Sequence, residues 1–219
     1  MFFDVTEAPG IYARLQQALA PQLRALPAGD ADALVAACPG WSVKDVMAHV
    51  SGLVAETLAN VPLPRGSDEA TARQVQDRAD LSLGEVCDEW VSNANAFAAF
   101  GAEDPAYAAA LTSDLVVHAI DIDQAIQSTI DIESEAVQLV AARYGQVLQQ
   151  RASDAGYPLS LVLDGVVMPA SDEAHDGLAL RASSFDFLRA VTGRRTGTYV
   201  RAMDWTGDPE PLLASAWSQ

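Results

Sequence analysis

The chain has 219 residues, half of them hydrophobic, with a net charge of -17 and a pI near 4.2. That is enough apolar material to bury a core in one large domain or two small ones. The acidity disfavours nucleic acid and anionic membrane surfaces as partners, and reads as a solubility feature. No stretch approaches 18 uninterrupted apolar residues, and the start MFFDVTEAPG lacks the basic-then-apolar order of a signal peptide. A reduced, cytoplasmic protein is therefore expected. Cys38 and Cys87 read as buried, inert thiols, because two cysteines make no disulfide framework and their separation fits no zinc ribbon.

Pro9 to Leu26 carries a helical stripe of Ile11, Leu15, Ala18, Leu19 and Leu23 that breaks at Pro27, Gly29 and Asp30. After Pro39-Gly40-Trp41 a second helix starts with Ser42 as N-cap and Asp45 in its first turn. Its stripe is Val43, Val46, Met47, Val50, Leu53 and Val54. Residues 59–80 are polar and punctuated by Pro62, Pro64 and Gly66, which predicts a loop re-entering helix near Ala70. Ser82 and Glu85 form a capping-box pair that opens a helix to Phe100, stopped by Gly101. Pro105 suits the first turn of a long helix reaching about Ile126, and a fifth helix is expected from Ser134 to Arg151.

The period changes after Gly156. Leu159 to Met168 is apolar and β-branched around Asp164-Gly165, so a strand or short hairpin is expected, with Leu178 to Leu180 as another strand. Ser184 to Val191 reads as a short helix ended at Gly193, and Thr198 to Trp205 as a strand. Asp208 should N-cap a final helix through Trp217. The fold expected is mostly α with a small α+β part: a helical bundle over about 1–153 and an α+β module over about 154–219.

Three histidines are present: His49, His118 and His175. Residues four apart on a helix lie roughly 40° from each other around the axis, so Asp114 and His118 share a face. Their helix is apolar nearly all round, with Val116 and Ile120 opposite Leu111, Leu115 and Ile122, and such helices are buried. A carboxylate at the edge of that stripe needs a compensating charge, either a cation or a protonated His118. Asp121 projects from nearly the same face and can accept the second ring N–H of a metal-bound histidine. His49, at the margin of the second helix's stripe, can complete a site begun by the Asp114/His118 pair. Two imidazoles and a carboxylate leave coordination positions open, as catalytic sites do, and suit zinc, with iron, nickel or manganese also compatible. The adjacent Arg194 and Arg195 suit carboxylate recognition. His175, among acidic residues, reads as a surface residue.

The phrase from Cys38 to Val50, CPGWSVKDVMAHV, resembles the entry to the metal-binding domain of the mycothiol-dependent maleylpyruvate isomerase family, part of the DinB-like metalloenzyme group. The phrase from Asp114 to Ile122, DLVVHAIDI, resembles the family's second metal phrase, and the stretches from Ser184 to Arg195 and from Asp204 to Pro209 resemble its C-terminal end. The resemblance implies a DinB-like four-helix-type bundle followed by a small α/β domain. It also implies His49, Asp114 and His118 as metal ligands, and mycothiol as thiol cosubstrate acting on a small electrophile. The activity implied is cis–trans isomerisation or thiol addition or transfer. Asp114 departs from the family, which has the longer glutamate there; losing one methylene draws the carboxylate back by about 1 Å. Two other readings stay open: a metal-binding or regulatory bundle without turnover, and a structural core with Asp114 and His118 as a salt bridge. A monomer or homodimer is expected.

Overall fold

The computed structural model describes residues 4–61, 67–127, 134–170 and 177–217. His175 and the proline-rich segment with Pro62, Pro64 and Gly66 lie outside the described residues. A 3₁₀ turn at Val5–Glu7 leads into α1 (Ala8–Arg24), followed by a single turn, α2 (Ala28–Ala31), and by α3 (Val43–Leu58). Then come α4 (Asp68–Gln76), α5 (Leu83–Ser92), α6 (Ala94–Glu103) and α7 (Pro105–Ile126). These elements belong to one compact unit, residues 4–133.

Local chemistry sets the helix starts. Ser42 and Ser82 both close reciprocal capping boxes, with Asp45 and Glu85 returning a carboxylate to the N-cap backbone. Asp104 caps α7 and Pro105 occupies its first turn. Ser67 caps α4, so that helix begins before the expected Ala70. α1 packs on α7 and α5, and α3 on α5 and α7, which closes a four-helix ring. The expected stripes are buried in it: Ile11, Leu15, Leu19 and Leu23 of α1, Val46, Met47, Val50 and Val54 of α3, and Leu111, Leu115 and Ile122 of α7. Val116 and Ile120 are buried as well, so α7 is enclosed on nearly every side. Trp90 joins α5 to α1 by donating from Nε1 to the Tyr12 hydroxyl at 2.7 Å.

The helix expected from Ser82 to Phe100 is two helices, broken at Asn93, where the Ser92 hydroxyl donates to the Glu89 carbonyl. Gly101 does not stop the second of them. It lies inside α6 because a Cβ there would stand 2.7 Å from Pro9 Cγ, so the glycine serves close packing against α1.

The other compact unit holds residues 134–219. It contains α8 (Ser134–Asp154), β1 (Leu159–Leu163), β2 (Val166–Met168), β3 (Leu178–Ala182), α9 (Ser184–Val191), α10 (Gly197–Arg201), β4 (Asp204–Thr206) and α11 (Glu210–Ser215). The sheet order is β2-β1-β3-β4, with β1 and β3 parallel and the outer pairs antiparallel. Asp164 and Gly165, both at positive φ, make the two-residue turn of the expected hairpin. α8, expected within the bundle, packs on β1 and α9 and falls in this compact unit.

Thr198 to Val200 are not a strand. Their β-branched and aromatic side chains favour one, but the Thr196 side chain caps Tyr199 N and starts α10, leaving only Asp204–Thr206 to pair with β3. The final helix is shorter than expected, ending at Ser215, although Asp208 does accept from Glu210 N at 3.1 Å. Among the described residues, no helix is long and apolar enough to cross a membrane.

Candidate metal centre

The centre begins with a tight turn. Trp41 N donates to the Cys38 carbonyl at 3.0 Å, with Pro39 and Gly40 between them and Gly40 at φ +85°. Proline followed by a positive-φ glycine is the signature of a type II turn, which only a residue without Cβ completes at no cost. The turn delivers the chain to the Ser42 cap, and α3 then carries His49 inward two turns later.

His49, Asp114 and His118 converge. His49 Nε2 stands 3.4 Å from Asp114 Oδ2, and His118 Nε2 stands 3.6 Å from Asp114 Oδ1. The shorter aspartate thus reaches both rings, one with each oxygen. The histidine rings meet edge to face at 5.2 Å, and the Trp41 ring lies 5.5 Å from His49. All three ligating atoms lie within 4.8 Å of one another. They floor an open cleft of about 450 Å³, whose walls include Cys38, Pro39, Trp41 and Thr71.

Asp121, fully buried, approaches His118 from the other side, with Oδ2 3.3 Å from Nδ1. Burial alone would hold the His118 ring neutral. The Asp114 charge, followed by the ring's hydrogen bonds with Asp121 and with Cys38, outweighs it and pushes the pKa up to about 10. The cluster calls for a cation: two carboxylates flank one imidazole, and the proton on that ring is balanced against them. A divalent ion suits the same donor set, because bonds of about 2.1 Å at tetrahedral angles space nitrogen and oxygen ligands about 3.4 Å apart.

His49 is held by a second line of hydrogen bonds that the sequence did not announce. Gln74, on α4 and buried, places Oε1 2.7 Å from His49 Nδ1 while its Nε2 donates to Glu56 Oε2 at 2.7 Å. Glu56, which can only accept, also receives Arg73 Nε at 3.1 Å. The carboxylate dictates which end of the Gln74 amide faces it, so Gln74 presents an acceptor to His49. His49 then donates from Nδ1 to Gln74, which leaves Nε2 as the nitrogen that faces Asp114 and the cleft. Gly52 makes this possible: a Cβ there would lie 2.7 Å from Gln74 Cβ and 2.8 Å from Arg78 Nη1.

Cys87 is buried as expected, its thiol pushed up to about 11, with burial the main cause. Cys38 is not: it is half-buried, lines the cleft and touches His118. Its place at the head of the CPGW turn is the sequence signal that could have found it.

In the C-terminal unit, taken by itself, Arg194 donates to the Thr192 carbonyl at 2.7 Å, and Arg195 pairs with Asp186 at 3.2 Å. Arg195 also lies over Tyr199, 5.2 Å from the ring centre, and lines a cleft of about 220 Å³ with Thr196, Arg201 and Trp217.

A four-helix ring that turns two histidines and a carboxylate into one open cleft has the build of a metal-binding bundle. The chain belongs to the family of the mycothiol maleylpyruvate isomerase N-terminal domain, whose model matches residues 12–123 and so spans the whole centre. Its fold is similar to the crystal structure of the mycothiol-dependent maleylpyruvate isomerase, with a TM-score of 0.57 at 15% identity over 90% of this chain and 93% of that one. A histidine-to-alanine variant of that isomerase gives a TM-score of 0.55 at 14% identity over 89% and 92%. Compared by sequence, the chain has no significant match to a curated protein.

Proposed function

We propose that this chain is a metal-dependent enzyme that uses a low-molecular-weight thiol, mycothiol, on a small electrophilic substrate, by cis–trans isomerisation or by thiol addition or transfer. The observation that carries the reading is the convergence of His49, Asp114 and His118 at the floor of an open cleft. Family membership supports the choice of thiol, which the solved relatives name in common.

His49 and His118 would hold a divalent ion, zinc being the best match to the donors, through their Nε2 atoms, and Asp114 through its carboxylate. When bound, such an ion stabilises a thiolate near neutral pH and so supplies the nucleophile. The protein's contribution is orientation. Gln74 and Asp121 each take the Nδ1 proton of one histidine and aim the other nitrogen at the cleft. Trp41 and Pro39 give the cleft an apolar wall, which limits water around a nucleophile. We assign Arg194 and Arg195 to recognition of a carboxylate on substrate or thiol, the protein to the cytoplasm, and its working form to a monomer or homodimer.

Elemental analysis of the purified protein beside His49→Ala and His118→Ala tests the metal. One ion per chain in the wild type and none in the variants is expected, and equal metal in all three would sink the reading. Turnover is tested with mycothiol and a cis-enoyl acid or an alkylating electrophile. Activity should need the thiol and vanish on chelation; a metal-loaded protein inert to the whole panel would favour the regulatory bundle instead.

A further inference from the structure

His118 has two edges, and the proposed metal position uses one. On the Nδ1 edge stands a second trio. Cys38 Sγ lies 3.7 Å from His118 Nδ1 and 3.7 Å from Asp121 Oδ2, and the carboxylate oxygen lies 3.3 Å from the same nitrogen. Bonds of about 2.1 Å to nitrogen and oxygen and about 2.3 Å to thiolate, at tetrahedral angles, separate nitrogen from oxygen by about 3.4 Å and sulfur from either by about 3.6 Å. The triangle formed by these three atoms has those edges.

We propose that Cys38, His118 and Asp121 form a second cation position, selective for a strongly thiophilic ion such as cadmium, that shares the His118 ring with the first position and excludes it. The sulfur gives the preference, since thiolate donors favour soft ions over magnesium or calcium. The Pro39-Gly40 turn gives access, holding Cys38 half-buried in the wall of the cleft while Asp121 closes the site from behind. Exclusion follows from the ring itself. A neutral imidazole has one lone pair and one N–H, so it serves one ion at a time. Binding at Nδ1 releases the Cys38 thiol proton and the His118 Nδ1 proton to solvent and leaves the remaining ring proton on Nε2, which removes a ligand from the His49/Asp114 side. A thiophilic ion at Cys38 would therefore switch the first position off. The exclusion clause rests on the metal reading above; the Cys38 position does not.

Titration with cadmium chloride tests this, read by the near-ultraviolet thiolate-to-cadmium charge-transfer band and by total bound metal, in a Cys87→Ala background. The band is expected to saturate at one cadmium per chain in the parent and in His49→Ala. It should disappear in Cys38→Ser, with cadmium affinity falling at least tenfold in Asp121→Asn. Zinc-loaded protein should release one zinc for each cadmium bound. A parent without the band, or a band that survives Cys38→Ser, overturns the second position. Two ions held together without zinc release overturn the exclusion. Failure of the first position has its own signature: Cys38→Ser protein that binds no metal beside a parent that shows the band.

Discussion

Replacing Gln74 by leucine asks whether a residue outside the ligand trio sets the affinity of the centre. The substitution keeps approximate volume and removes the acceptor that takes His49 Nδ1–H at 2.7 Å inside a buried site. Two costs follow. The Nδ1 proton loses its partner, worth about 1–3 kcal/mol for a buried donor. The ring also loses the bond that holds Nε2 toward Asp114. Removing such an outer partner typically weakens metal binding about 10–100-fold, or about 1.4–2.8 kcal/mol, which agrees with the first figure. Glu56 keeps its Arg73 partner, so the damage should stay local. The assay is competition for zinc with a chromophoric chelator, on folded protein whose helical circular dichroism matches the parent. An affinity within twofold of the parent would refute the claim that Gln74 selects the His49 tautomer.

Three further outcomes are expected. Gly52→Ala sets a methyl 2.7 Å from Gln74 Cβ, so it should cost about 1–3 kcal/mol of overpacking and weaken zinc binding together; a thermal melt with unchanged midpoint would count against the close α3–α4 approach. Glu89 is partly buried, which by itself raises its carboxyl, but hydrogen bonds from Arg78 and Ser51 and the Arg78 charge hold it below the usual glutamate range. Its stabilising contribution is then present above the unfolded value of about 4.3 and lost as pH falls through the lower folded value. Arg78→Met should destabilise by about 2 kcal/mol at neutral pH and much less in acid, as read by urea unfolding at both; a difference independent of pH would contradict the pair. In native protein one thiol should react quickly with an aromatic disulfide reagent, and Cys38→Ser should abolish that phase, because burial pushes Cys87 up to about 11. Two thiols reacting at one rate would refute it.

What the sequence made legible was what local chemistry decides. The Ser42 cap, the Ser82 box, the Pro105 start and the Asp164-Gly165 turn each act within four residues, and each is where its side chains put it. Asp114 and His118 were readable because helical spacing alone gives them one face. His49 was placed beside them by its family phrase rather than by its spacing. Gln74 was not readable. Its role depends on how closely α4 approaches α3, a tertiary fact written only as a glycine at 52. The strand expected over Thr198 to Val200 failed because β-branched side chains are a weak preference, and a single cap at Thr196 outweighed it. Helical period alone groups α8 with the helices before it, whereas its partners, β1 and α9, come later in the chain.

That reassignment of α8 bears on modularity. Among the described residues, every group assigned to the proposed metal position or its cleft, from Cys38 to Asp121, lies within residues 4–133. The segment from 134 onward carries its own spine in α8 and its own sheet. A cut at 153 would therefore leave α8 without the strand it covers.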